Sequence, residues 1–222
     1  MTKLRWLALA LLSASVLAGA AVAGTAPLSS VGPLVKAPAP GPLGPEGVPV
    51  PKGPVFANVK NVKLGEAVDG VQCELAEKVA FHIHAHLTIF VKGKAQQIPY
   101  GIGIGQPVQG VNTPSGPFAT KGTCFMWLHT HALDGIVHVE APKQKSFTLG
   151  QFFAVWGLHL STSRVGSATG KVTAFYNGRV WTGSPAGVPL SPNAEIQLDI
   201  GTPLVAPEHL KFPAGLGSTQ TK

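Results

Sequence analysis

The chain has 222 residues and a formal net charge of +7, from 17 basic and 10 acidic side chains. The basic residues stand singly or in pairs, such as Lys92 and Lys94 or Lys143 and Lys145, with no dense stripe and little aromatic surface between them. That distribution argues against a nucleic-acid partner and for an ordinary solvated basic surface.

Lys3 and Arg5 precede the apolar run WLALALLSASVLAGA, which leads into the small-residue triplet Ala21-Val22-Ala23. This layout predicts a secretory signal peptide over residues 1–23, cleaved before Gly24, and so a protein of the periplasm, the cell surface or the extracellular space. The alternative is an uncleaved anchor, since Trp6–Ala23 spans 18 residues, the lower limit for crossing a bilayer. Only in that form is a membrane a partner, and the many Ala, Ser and Gly positions favour cleavage. No Cys lies near the cleavage position, which argues against a lipid anchor. Without Lys3 and Arg5 the mature chain keeps 15 basic against 10 acidic residues, or +5.

Residues 24–54 carry nine of the 20 prolines, mixed with glycine and almost free of charge. A disordered, extended linker that spaces or tethers the domain is expected there. From residue 55 to residue 206 short apolar runs alternate with Gly, Pro and Asn, enough chain for one domain with its own core. Residues 207–222 are read as a C-terminal tail.

Strand signals dominate that domain, at Phe81 to Val91, Cys124 to His131, Ile136 to Glu140, Lys171 to Tyr176 and Glu195 to Ile200. Lys92-Gly93-Lys94, Asp134-Gly135 and Asn177-Gly178 have the chemistry of hairpin turns. Long helical patterns are absent, so the fold class is mainly β, an antiparallel sandwich or barrel. One short helix is predicted in FTLGQFFAVWG, with Thr148 as cap and Gln151 completing a capping box. Phe152, Phe153, Val155 and Trp156 would then plug one end of the sandwich.

Cys73 and Cys124 each lie a few residues before a histidine cluster. In an exported chain the natural reading is a disulfide tying those segments together, worth about 3 to 4 kcal/mol on the chain-entropy view. A thiolate ligand is the alternative.

Six of the eight histidines fall in two short windows. In CFMWLHTHALDGIVHVE, a two-residue turn at Asp134-Gly135 would set Leu133 against Ile136, His131 against His138 and His129 against Glu140. One face then carries His129, His131, His138 and Glu140, with Trp127 further along, while Leu128, Thr130, Ala132, Val137 and Val139 face the core. Opposed residues on an antiparallel pair have Cβ atoms about 4.5 to 5.5 Å apart, so these three imidazoles can converge on one ion with bonds of about 2 Å. Glu140 becomes a fourth ligand, a hydrogen-bond partner of a ligand, or a general base.

FHIHAHLTIF puts His82, His84 and His86 on one face of a strand whose other face, Phe81, Ile83, Ala85, Leu87, Ile89 and Val91, is continuously apolar. His82 and His86 would lie about 13 Å apart, too far to share one ion comfortably, whereas adjacent pairs suit. Setting this strand beside the hairpin gathers His82, His84, His86, His129, His131 and His138 into one patch. His159 and His209 have no such context.

The three motifs FHIHAHLTIF, C..WLHTH...GIVHVE and FTLGQFFAVWG, in that order over residues 72–157, resemble a family of exported bacterial and archaeal His-rich proteins. The resemblance implies an exported domain and carries no activity with it. The His-x-His strand also looks like parts of copper/zinc superoxide dismutase, multicopper oxidases, α-carbonic anhydrase and cupins, whose overall spacing differs, so these are analogies of mechanism.

Imidazole-rich sites suit copper, zinc, iron or nickel, with intrinsic affinity favouring copper and then zinc. The expected function is metal sequestration or delivery, with the metal ion and another exported metal-handling protein as partners. One alternative is a metalloenzyme, using copper redox or zinc hydration or hydrolysis, in which Glu140 handles protons. Another is a pH-sensing surface module.

Overall fold

A computed structural model describes residues 23–216 and 219–220, so the expected signal peptide lies, apart from Ala23, outside the described residues. Among the described residues the fold is mainly β with one α-helix, α1 (Leu149–Trp156), and no barrel closes. Its principal sheet has nine strands: β1 (Thr25–Ala26), β2 (Phe81–Val91), β3 (Lys94–Gln96), β4 (Leu128–His129), β5 (Ile136–Ala141), β6 (Val172–Tyr176), β7 (Arg179–Trp181), β8 (Ala194–Ile200) and β9 (Thr219–Gln220). They are ordered β1-β7-β6-β8-β2-β5-β4, with β3 and β9 also pairing on β2.

The long strand β2 organises the sheet. Along one edge it takes β5, antiparallel over residues 81–86, and then β3 over 89–91. Along the other it takes β9 at 81–82 and β8, which runs parallel over 85–91. Alternation sorts its side chains: Ile83, Ala85, Leu87 and Ile89 are 0–2% exposed and join the main core with Leu128, Val137, Val139 and the α1 residues Phe152, Phe153 and Trp156. The helix packs on that face because its cap is built as the sequence predicts. Thr148 accepts from Gln151 N–H, the Gln151 side chain accepts from Thr148 N–H, and Gly157 closes the helix in the left-handed conformation.

Two of the three expected turns have the two-residue form. Lys92 and Gly93 have φ of 49° and 75°, and Asn177 and Gly178 have 49° and 73°, as type I′ geometry requires. Asp134-Gly135 does not: only Gly135 has a positive φ, 86°. The register is therefore shifted by two residues, with His129 opposite His138 and Leu128 opposite Val139. Competing hydrogen bonds explain the longer connection. Thr130 donates its hydroxyl to Pro99 O and its amide to Ile102 O, and His131 O accepts from Ala119 N–H, so residues 130–131 are claimed by a neighbouring loop and by the strand Gly116–Lys121. A shift of two preserves the period-2 division of faces, so the buried apolar set is unchanged.

Cys73 and Cys124 form a disulfide with Cα atoms 5.6 Å apart, 51 residues apart in sequence. It joins Val71–Glu74 to the short strand Phe125–Met126, which pair directly, Cys73 opposite Met126.

The Pro-rich segment 24–54 departs from the extended linker expected of it. Thr25–Ala26 pairs with β7, and Leu34–Val35 pairs with Leu204–Val205. Pro42–Val50 doubles back on itself, with Gly44 N–H bonded to Val48 O and Val50 N–H to Pro42 O. Val48 is fully buried in a small cluster with Ile136 and Leu216. Burial of Val48 and these backbone hydrogen bonds offset the ordering cost that composition alone cannot see. The C-terminal stretch behaves alike, Leu216 and the β9 pairing bringing it onto the same face of the sheet.

Candidate metal centre

Sheet register builds the site. His84 of β2, His138 of β5 and His129 of β4 stand opposite one another, forming one rung of three histidines across three strands. The next rung pairs His82 with Glu140. His131, beyond the end of β4, turns back so that its Nε2 lies 3.0 Å from His129 Nε2. Phe118 stacks on the His131 ring at 5.0 Å.

Four groups, His129, His131, His138 and Glu140, present ligand atoms all within 4.8 Å of one another, and all four are buried. A second group, His82, His84 and His138, meets the same limit. Backbone carbonyls fix the rings: His129 Nδ1 lies 2.8 Å from Met126 O, His131 Nδ1 2.6 Å from Ala119 O, and His84 Nδ1 3.0 Å from Leu216 O. A carbonyl only accepts, so each of these Nδ1 atoms carries the proton and each Nε2 keeps its lone pair. The lone pairs of His129 and His131 therefore face each other at 3.0 Å with no proton between them.

His138 is held the other way round. Its Nε2 donates to Glu46 Oε1 at 2.7 Å, leaving Nδ1 3.4 Å from Glu140 Oε1 without a well-formed hydrogen bond. Glu140 Oε2 is likewise buried without a donor, 3.9 Å from His129 Nε2. The centre thus contains two neutral Nε2 lone pairs, one orphaned Nδ1 and one orphaned carboxylate oxygen. A cation among them, displacing the proton that His138 carries on Nδ1, would engage all four.

Electrostatics follow from burial and from this pairing. Burial, helped by the neighbouring imidazoles, holds His129 and His131 below the ordinary histidine value and His84 down to about 3. Burial depresses His138 too, but the facing Glu140 carboxylate and the hydrogen bond to Glu46 outweigh it and raise that ring to about 9. Burial raises Glu140, yet the facing His138 and His82 rings win and keep it an anion well below the usual carboxylate range. Burial and the adjacent Glu46 lift Asp134 to about 8, so the protonated Asp134 carboxyl hydrogen-bonds the Glu46 carboxylate. That shared proton accounts for Glu46 Oε2 and Asp134 Oδ2, buried oxygens with no ordinary donor.

Of the residues expected at the site, His82, His84, His129, His131, His138 and Glu140 are gathered. His86 and Trp127 are not. His86 stands opposite Ile136 and commits Nε2 to Asp134 O at 2.9 Å. Its ring instead borders a cavity of about 420 Å³, together with Thr88 and Phe90 further along the same face of β2. Trp127 lies in the break between Phe125–Met126 and β4, donates Nε1 to Glu74 and packs on Phe147. Only its carbonyl serves the site, accepting from Glu140 N–H. His159 and His209 are exposed.

Two carboxylates escaped the sequence reading. Glu46 comes from the Pro-rich segment, whose turn brings Gly44 so close to Asp134 Oδ2 that a Cβ there would sit 2.7 Å from it. Glu77, 35% exposed, places Oε1 3.4 Å from His131 Nε2 at the mouth of the centre. The spacing PEGVP around Glu46 carries no period that marks it. Glu77 had one weak signal, its position four residues after Cys73. No family model, curated protein or solved structure matches the chain.

Proposed function

We propose that this is an exported metal-binding protein that holds a transition-metal ion on His129, His131, His138 and Glu140, copper in preference to zinc. Its role is to sequester the ion or pass it to another exported metal-handling protein. The observation that carries the reading is the convergence of four buried, unprotonated or orphaned ligand atoms within 4.8 Å. Met126 O, Ala119 O and Glu46 orient the ligand rings, as hydrogen-bond partners of metal-binding histidines do. Both cysteines are in the disulfide, so no thiolate contributes, and an imidazole-carboxylate set suits copper(II) and then zinc(II). The disulfide also fits an oxidising compartment.

Two features favour binding over catalysis. The cavity of about 420 Å³ on this sheet face is lined by none of the four groups. Glu140, held strongly as an anion, is a poor proton acceptor and a good ligand. The test is metal analysis after dialysis against micromolar copper or zinc, on wild type and His131→Ala. Wild type retains the ion and the variant loses it; a folded wild-type protein that retains none contradicts the proposal.

A further inference from the structure

Glu140 lies between two pairs of histidines rather than beside one. On one side, His129 and His131 bring Nε2 atoms to 3.0 Å; on the other, His82 and His84 bring theirs to 3.1 Å. The carboxylate divides between them, Oε1 lying 3.0 Å from His82 Nε2 and Oε2 lying 3.9 Å from His129 Nε2. The ligand atoms of the four histidines fall into two groups whose common member is His138. His138 sits in the middle, its ring centroid 4.5 Å from those of both His84 and His131.

In the second pair one proton faces two acceptors. His84 Nε2 keeps its lone pair because Nδ1 donates to Leu216 O. A proton on His82 Nε2 can point fully at His84 Nε2 or at Glu140 Oε1, which lie at 3.1 and 3.0 Å, but not at both. A cation engages all three. Glu46, Glu77 and Glu140 together bring three negative charges to the cleft, enough to offset most of the charge of two divalent ions.

We propose that the cleft is a dinuclear centre: one ion on His129 and His131, a second on His82 and His84, bridged by the two oxygens of Glu140, with His138 completing one set. This rests on the reading of the cleft as a metal centre. Two-metal sites hold their ions about 3.5 to 4 Å apart, a separation that a single bridging carboxylate can span. His82, with a quarter of its side chain exposed, is the entry to the second position.

The experiment titrates the metal-free, disulfide-intact protein with copper(II) chloride, counting bound ions by elemental analysis after gel filtration and following the electron paramagnetic resonance signal. Two ions per chain are expected, with the second equivalent lowering the signal per copper through coupling across the bridge. The variant His82→Asn, mild because the side chain is partly exposed, is expected to bind one ion and to show the uncoupled signal. One ion in both proteins overturns the second position while leaving the metal-binding function standing. Two ions with additive, uncoupled signals overturn the bridge. No retained copper in either protein overturns the metal-binding function itself.

Discussion

At the residue scale the centre is defined by where its protons are. His129 and His131 are already neutral, whereas His138, raised to about 9 between Glu46 and Glu140, holds a proton at neutral pH that a metal ion must displace from Nδ1. Ion binding at pH 7 should release about one proton per chain, a release that vanishes as pH rises past 9. Calorimetry in buffers of different ionisation enthalpy measures it, and zero release at pH 7 would remove His138 from the ligand set. Asp134 gives a second prediction. Its pKa rises from 3.8 unfolded to about 8 folded, so the folded protein holds a proton that the unfolded chain loses. The stabilisation is full below about pH 4, declines as pH rises and is gone above about pH 8. Relative to Asp134→Asn, the wild-type protein should lose on the order of a few kcal/mol across that window. Denaturation midpoints that run parallel from pH 4 to 8 would refute this assignment.

At the element scale, strand periodicity made most of the site legible. FHIHAHLTIF forms a strand with the bounds its alternation predicts, and the histidine face and apolar face separate as period 2 demands. The capping box at Thr148 and Gln151 was equally readable, because a cap is a local matter. The Asp134-Gly135 turn was not, because tertiary hydrogen bonds to Pro99, Ile102 and Ala119 overrode local turn chemistry. Gly135 remains indispensable for another reason: it lies against β2, where its carbonyl accepts from Leu87 N–H and a Cβ would strike the Leu87 carbonyl oxygen. With the positive φ added, Gly135→Ala should destabilise the protein by roughly 2 to 4 kcal/mol. A shift under 0.5 kcal/mol in urea unfolding would show that β2 and the turn separate freely.

At the scale of the whole molecule, three separate parts of the chain converge on the histidine face: the Pro-rich segment through Glu46 and Val48, the C-terminal stretch through Leu216, and the strand Gly116–Lys121 through Ala119. None has a periodic pattern, and each is held by backbone carbonyls or one buried side chain, so its part in the site was invisible in the sequence. The His86 exclusion has the same origin, since the Asp134 carbonyl that claims it belongs to the rearranged turn. The Cys73–Cys124 disulfide secures the strand pair just before Met126 O, the carbonyl that orients His129. Replacing both cysteines with alanine should cost about 3 to 4 kcal/mol in denaturant unfolding and weaken metal binding. Unchanged affinity in that variant would mean that the sheet alone holds His129 in place.

The orphaned atoms of the cleft are the proposed metal ligands. Crystals grown with copper(II), measured on both sides of the copper absorption edge, test that assignment most directly. An anomalous peak is expected about 2 Å from His129 Nε2, His131 Nε2 and a Glu140 oxygen, with the His138 ring turned to it. Crystals carrying copper elsewhere and none in this cleft would contradict it.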